Sequence, residues 1–315
     1  MKPAGPLTLG LSKGAALARM VKLSHSLFAL PFAAAAVVLV LPHATTERLV
    51  LRVALAAVAV VAARTAAMAW NRLADRAIDA ENPRTARREL VTGEVSPGAA
   101  WALLAGSAAV FVAAAFGIST LCGVLAPPVL AVLLGYSYAK RFTWACHLWL
   151  GVAQALAPIG VSIALTGAVL PSALLLGLGV GAWIAGFDVF YALQDRDFDV
   201  GAGVRSIPAR FGVGGALWWA RGLHVVAIAG VAAAGAVGGR GPGWLAGTLV
   251  LAGTLVAEHL HVAPRGELSG EPGGAERLPA PPVRMDRIGV AFFNYNAFAS
   301  VAFALCALGE LLFRG

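Results

Sequence analysis

The chain is 315 residues long, 59% hydrophobic and only 13% charged, with a formal net charge of +8. A soluble domain is nearer half apolar and a quarter charged, so the composition excludes an ordinary soluble protein. The basic residues sit in short segments between long apolar runs, which is a membrane-topology pattern and argues against a nucleic-acid partner.

The runs exceed the ~18–20 residues that cross a bilayer. They predict an all-α, polytopic membrane protein of nine helices, at about 25–42, 49–71, 99–117, 120–138, 148–168, 172–193, 214–238, 243–262 and 288–312. The third and fourth are separated only by a short break at Gly117–Thr120. Many runs are rich in Ala and Gly, which lets helices approach closely in lipid. The first run leads directly into others, so it reads as a span and not as a cleaved signal. The stretch 263–284 is rich in Pro, Gly and Glu and reads as a flexible cytoplasmic loop within one domain over 1–315. Cys122, Cys146 and Cys306 lie far apart, in or beside apolar runs, and read as small buried hydrophobes.

Lys and Arg alternate between loops. Lys2, Lys13, Arg19 and Lys22 precede the first span, and Arg76, Arg84, Arg87 and Arg88 follow the second. Lys140 and Arg141, then Arg196, Arg205 and Arg210, and finally Arg265, Arg277, Arg284 and Arg287 follow spans four, six and eight. The intervening loops carry little more than Arg48, Arg52 and Arg240. Basic loops stay in the cytoplasm, which places the N-terminus inside and the C-terminus outside the cell membrane.

Two acidic segments stand out. The second span ends in N-R-L-A-D-R-A-I-D, with Asn71, Asp75 and Asp79 spaced i, i+4, i+8 on one helical face. The sixth ends in D-V-F-Y-A-L-Q-D-R-D-F-D, which aligns Asp188, Tyr191, Asp195 and Asp199 along one stripe and leaves Asp197 off it. Each is followed by arginines, and the two lie 120 residues and four spans apart. That spacing suggests two pseudo-repeated four-helix halves plus one helix, with matching sites facing each other. Carboxylates are costly in a membrane, so two same-spaced pairs call for a function. Mg²⁺ takes carboxylate, water and phosphate oxygens, and two facing pairs suit two ions with a diphosphate between them. Lys140 and the arginines would neutralise the remaining phosphate charge. A greasy bundle beside such a site suits a ligand with a diphosphate head and a long hydrocarbon tail.

These residues resemble the UbiA superfamily of membrane aromatic prenyltransferases, over nearly the whole chain. The family's first motif, N-D-x-x-D-x-x-x-D, corresponds to residues 71–79, its D-x-x-x-D to Asp195 and Asp199, and its Y-x-x-x-K to Tyr136 and Lys140. Arg72 stands where the family usually has an Asp, which removes one ligand and adds a positive charge that would contact diphosphate. The segments K-L-S-H-S-L-F-A-L-P-F (22–32), N-R-L-A-D and N-P-R-T-A-R-R-E-L look like the sub-branch linked to menaquinone made through futalosine. The resemblance implies transfer of a polyprenyl group from its diphosphate to a hydroxylated aromatic carboxylate. Mg²⁺ would sit on Asp75, Asp79, Asp195 and Asp199. Asn71, Arg72, Arg84 and Arg205 would bind substrate, and Lys140 would help to draw off the leaving group.

Asp188 would orient Tyr191, bind an ion, or take the ring proton. Lys22 would pair with an acceptor carboxylate or merely set topology. His25 reads as a headgroup-level histidine, and Asn294, Tyr295 and Asn296 as bonds between helices. Trp183, Phe187 and Phe190 would shield a cation or simply pack. Two other classes use carboxylates in membranes. A CDP-alcohol phosphotransferase would carry a D-G-x-x-A-R start, which this sequence lacks. An ion-coupled transporter would place its carboxylates near the midplane on broken helices.

Overall fold

The computed structural model describes residues 14–22, 29–262, 283, 285–290 and 294–312. His25 and most of the 263–284 stretch lie outside them. The described residues form helices: α1 (14–20), α2 (Ala29–Val40), α3 (Leu49–Ala74), α4 (Arg76–Glu81), α5 (Glu89–Thr92), α6 (Pro97–Ile118), α7 (Thr120–Phe142), α8 (Cys146–Thr166), α9 (Pro171–Ala192), α10 (Arg196–Ala202), α11 (Ile207–Val237), α12 (Pro242–Val262), α13 (Met285–Val290) and α14 (Asn296–Leu312).

Among the described residues, seven helices are long and apolar enough to cross a membrane. The expected first and ninth spans correspond to shorter apolar helices among the described residues. α2 has 12 described residues. Of the last predicted span, the described residues include α13, which ends at Val290, and α14, which runs for 17 residues from Asn296. The short break at Gly117–Thr120 is real. Ser119 is extended (φ −166°, ψ 160°), and its hydroxyl accepts from the Cys122 amide to start α7. Large apolar side chains point outward, Trp218 and Leu260 among them at 72% and 71% exposed, as expected of helices bathed in lipid.

α9 is the central helix, two-thirds buried over its most apolar stretch. Its small residues explain why. A Cβ built on Gly151 of α8 would lie 2.6 Å from the Gly181 carbonyl oxygen, and one on Gly230 of α11 would lie 2.8 Å from Gly179 Cα. Backbones therefore touch on both flanks of α9, which is how helices associate where no hydrophobic force drives them.

Polar residues tie the remaining helices. Trp183 Nε1 donates to Asn296 Oδ1 at 2.6 Å, and Asn296 Nδ2 donates to Glu258 at 3.3 Å, joining α9, α12 and α14. This agrees with the between-helix reading of Asn296. Buried Glu310 accepts from the Gly241 and Trp244 amides, so α14 caps the free N–H groups that open α12.

Candidate functional site

One end of the bundle gathers the ends of α3, α7 and α9, the start of α8, and the short helices α4 and α10. Both acidic segments lie there, but neither is a single smooth helix. α3 ends at Ala74, Asp75 turns (φ −94°, ψ 2°), and α4 resumes at Arg76. The turn keeps the i→i−4 hydrogen bonds Asp75 N to Asn71 O and Asp79 N to Asp75 O, so the three side chains stay one turn apart. In the second segment a 3₁₀ turn over Leu193–Asp195 separates α9 from α10. The tighter turn re-aims Asp195 relative to Asp188 and Tyr191, which an unbroken α-helical stripe does not anticipate.

Asp75 is 2% exposed and carries three neighbours. Its Oδ2 accepts from Asn71 Nδ2 at 2.9 Å and Lys140 Nζ at 2.7 Å. Its Oδ1 is buried with no hydrogen-bond partner among the described residues, although Arg141 Nη2 lies 3.8 Å away. Asp79, also buried, accepts from Arg88 Nη1 at 2.6 Å. Across the mouth, Asp195 Oδ1 accepts from Arg84 Nε at 2.7 Å and Asn82 Nδ2 at 3.0 Å, and Arg84 Nη2 pairs with Oδ2. Arg84 Nη1 also donates to the Tyr191 hydroxyl at 2.8 Å. Burial disfavours the Arg84 charge, but the hydrogen bond to Asp195 and the nearby negative charge outweigh it and raise its pKa. Asp199 lies apart from these pairs and accepts from Ser206 Oγ at 2.9 Å.

Several expected residues have other partners. Arg72 is buried, with Nε donating to the Met20 carbonyl and Nη1 to Asn71 Oδ1. It fastens the 14–22 segment to α3, and this burial directs it away from an open mouth. Arg205 donates to the Phe142 carbonyl, and its amide to the Lys140 carbonyl, so it holds the loop after α10 against the end of α7. Trp183 and Phe190 are buried in packing contacts. Phe187 is half-buried. Lys22 sits at positive φ (48°), half-buried. Burial, then the charges of Arg72, Arg88, Arg84 and Arg64, lower its pKa to about 8.

Three residues were missed in the sequence, among them Asn82, which donates to Asp195. Arg64 precedes Asn71 by seven residues, so it shares the Asn71 face of α3 about 10 Å deeper. A lone arginine inside an apolar span was the available signal. His147, buried at the start of α8, holds Asp188 Oδ2 through Nδ1 at 2.7 Å. It gave no motif-like signal, because its partner is 41 residues away.

The donor set suits a hard divalent cation. The groups are carboxylate and amide oxygens, and the buried, unpartnered Asp75 Oδ1 is an open ligand position. No three His, Cys, Asp or Glu side chains among the described residues converge enough to hold a metal alone. That fits an ion completed by substrate oxygens, since Mg²⁺ is usually held by one or two carboxylates plus phosphate.

Comparison with known proteins places this arrangement. Residues 28–270 match the UbiA prenyltransferase family. The 4-hydroxybenzoate octaprenyltransferase of Azotobacter vinelandii is 35% identical over 157 residues, 49% of this chain and 52% of that protein. The enzyme of the same name from Aromatoleum aromaticum is 32% identical over 207 residues, 64% and 68% of the two chains. The chain thus spans about half the length of several curated relatives that it matches. A UbiA homolog from Aeropyrum pernix K1, in its apo structure, superposes with a TM-score of 0.74 at 30% identity, covering 93% of this chain and 98% of that one. A UbiA homolog from Archaeoglobus fulgidus bound to GPP and Mg²⁺ shares the fold, with a TM-score of 0.65 at 19% identity over 94% and 99%. The family match covers most of the chain and the Aeropyrum likeness nearly all of it, so this protein belongs to the UbiA prenyltransferase family.

Proposed function

We propose that the protein transfers a polyprenyl group from its diphosphate to a hydroxylated aromatic carboxylate, of the 4-hydroxybenzoate or 1,4-dihydroxy-6-naphthoate type, in quinone biosynthesis. The observation that carries this reading is the seam across the bundle end, where Arg84 and Asn82 from beyond the first acidic segment hold Asp195 of the second. One bound group can therefore be reached from both segments.

Asp75, Asp79, Asp195 and Asp199 would hold Mg²⁺, which supplies charge neutralisation to the departing diphosphate. In the structure Arg84, Arg88 and Lys140 pair with Asp195, Asp79 and Asp75. Binding would exchange partners: the carboxylates turn to the metal, and the freed cations turn to phosphate oxygens. Asn71 orients Asp75, and Arg205 braces the Lys140 backbone. Tyr191 keeps Arg84 in register beneath its guanidinium, which lies 4.9 Å from the ring centre. Lys22, whose surroundings the charges of Arg72, Arg88, Arg84 and Arg64 make positive, would pair with the acceptor's carboxylate. The family relation to proteins named octaprenyltransferases supports a long tail lying between helices.

The full topology we assign is nine spans in one domain, with two four-helix halves. The N-terminus and active-site loops face the cytoplasm at the cell membrane.

The test is purified protein in detergent with geranyl diphosphate, Mg²⁺ and each acceptor, read by mass spectrometry. Prenylated product that requires Mg²⁺, Asp75 and Asp195 is expected. Absence of product and of diphosphate release on every acceptor would sink the proposal.

A further inference from the structure

His147 belongs to none of the acidic segments, yet it makes the shortest polar contact of Asp188. Its Nδ1 stands 2.7 Å from Asp188 Oδ2, and a carboxylate only accepts, so Nδ1 carries the hydrogen. The His147 side chain is 5% exposed and Asp188 20%. Histidine is therefore the walled-in partner, and Asp188 presents its other oxygen. Asp188 Oδ1 has no hydrogen-bond partner among the described residues, and the side chain's remaining exposure of 20% leaves it accessible.

The backbone fixes this geometry. α8 and α9 cross where Gly151 meets Gly181 and Ala185, with a Cβ on Gly151 falling 2.6 Å from Gly181 O and 3.2 Å from Ala185 Cβ. His147 lies one turn before Gly151, and Asp188 about one turn beyond Ala185. On antiparallel neighbours those steps run the same way along the bundle, toward the mouth. Asp188 also precedes Asp195 by seven residues, which sets it about 10 Å further into the bundle. That is the side on which a prenyl C1 and an aromatic ring would lie, behind a diphosphate held at the mouth.

Resting on the function proposed above, we infer that Asp188 takes the ring proton in prenyl transfer and that His147 is the positioning residue that aims it. The C1–O bond breaks with its electron pair leaving on diphosphate. A ring π pair forms the new C–C bond. The C–H pair at that ring carbon then returns to the ring, and the proton passes to Asp188 Oδ1. The resulting carboxylic acid hands it to diphosphate or water. His147 donates throughout to Oδ2, leaving the other oxygen directed at the ring.

The experiment compares wild type, His147→Leu, His147→Asn, Asp188→Asn and the double variant His147→Leu/Asp188→Asn. The substrates are geranyl diphosphate, Mg²⁺ and whichever acceptor is prenylated, with and without deuterium at the attacked ring carbon. Misplacing the base makes proton loss the slow step. His147→Leu should lose about 30- to 100-fold in kcat with KM for geranyl diphosphate within about twofold, less than the roughly 10²–10⁴-fold of a whole general base because the base is misaimed and not removed. Its isotope effect should rise from near 1 to 2 or more. His147→Asn keeps an N–H close to the Nδ1 position and should stay within about fivefold of wild-type kcat. In the Asp188→Asn background, the loss caused by His147→Leu should vanish.

Wild-type kcat in His147→Leu would overturn the inference. So would a loss without an isotope effect, or an equal loss in the Asp188→Asn background, since each marks a structural role. If the leucine variant does not fold, His147→Asn decides: a large loss in a folded His147→Asn protein, with no isotope effect, overturns it as well. A wild-type protein that forms no product fails the proposed function instead.

Discussion

Arg84 Nε lies 2.7 Å from Asp195 Oδ1, joining residues 111 positions apart across the mouth of the bundle. The same guanidinium reaches the Tyr191 hydroxyl, so one side chain fixes the relative placement of the two acidic segments. A planar fork matches a carboxylate in a way that an ammonium does not.

Replacing Arg84 therefore tests the seam. Arg84→Lys keeps the charge and loses the fork, and should lower kcat/KM for the prenyl diphosphate by about tenfold. Arg84→Ala leaves Asp195 with Asn82 alone and should lower it about a hundredfold, in line with loss of a charge-assisted bidentate contact. Steady-state kinetics on both variants check this. Wild-type kinetics in Arg84→Lys would show that charge alone matters, and equal losses in the two variants that the charge contributes nothing without the fork.

Asp75 and Lys140 test the exchange of partners. Lys140→Met leaves a carboxylate that is 2% exposed with only Asn71 and a distant Arg141, and breaking a buried pair costs roughly 3–5 kcal/mol. Mg²⁺ can replace the missing ammonium. Mg²⁺ without diphosphate should then raise the melting temperature of Lys140→Met more than that of wild type. Asp75→Asn should remove the Mg²⁺ effect in both backgrounds. Thermal unfolding in detergent with and without Mg²⁺ measures it, and an equal Mg²⁺ shift in wild type and Lys140→Met would contradict the exchange.

Much of this was legible in the sequence. Long apolar runs, alternating basic loops and two spaced acidic segments require no tertiary information. Three things were not. The turn at Asp75 and the 3₁₀ turn at Leu193–Asp195 are local departures from a helix that residue spacing cannot report. Arg72 looks like a diphosphate ligand in the motif, but its burial against the Met20 carbonyl depends on where the 14–22 segment docks. His147 acquires its role only because Gly151 and Gly181 bring α8 against α9.

Acceptor binding by Lys22, as proposed, would give the acceptor step a pH dependence. Burial first, then the surrounding arginines, lower its pKa from 10.5 to about 8, so its charge is lost as pH rises through 8. KM for a carboxylate acceptor should rise above pH 8, toward tenfold per unit, and Lys22→Arg should abolish that rise. Folding has the matching sign. The unfolded chain binds the proton more tightly between pH 8 and 10.5, so the destabilising contribution of Lys22 is present below 8 and fades across that window. An acceptor KM that stays flat from pH 7 to 9.5 would remove Lys22 from the acceptor site.

Gly151 links packing to chemistry. The Cβ of an alanine there would stand 2.6 Å from the Gly181 carbonyl oxygen, which is backbone and cannot swing aside. α8 must then shift away from α9, at a cost of about 1–3 kcal/mol typical of overpacked contacts. The shift acts one turn from His147, so it should lengthen the 2.7 Å contact with Asp188. Gly160 is the matched control, because a Cβ there meets nothing within 4 Å. Gly151→Ala should lower both the melting temperature and kcat, while Gly160→Ala changes neither. Diphosphate affinity should survive in both, because Lys140, Arg84, Arg88 and the carboxylates they pair with lie at the mouth and not at the α8–α9 crossing. A Gly151→Ala protein with lowered stability and unchanged kcat would show that the crossing supports the fold without setting the His147–Asp188 geometry.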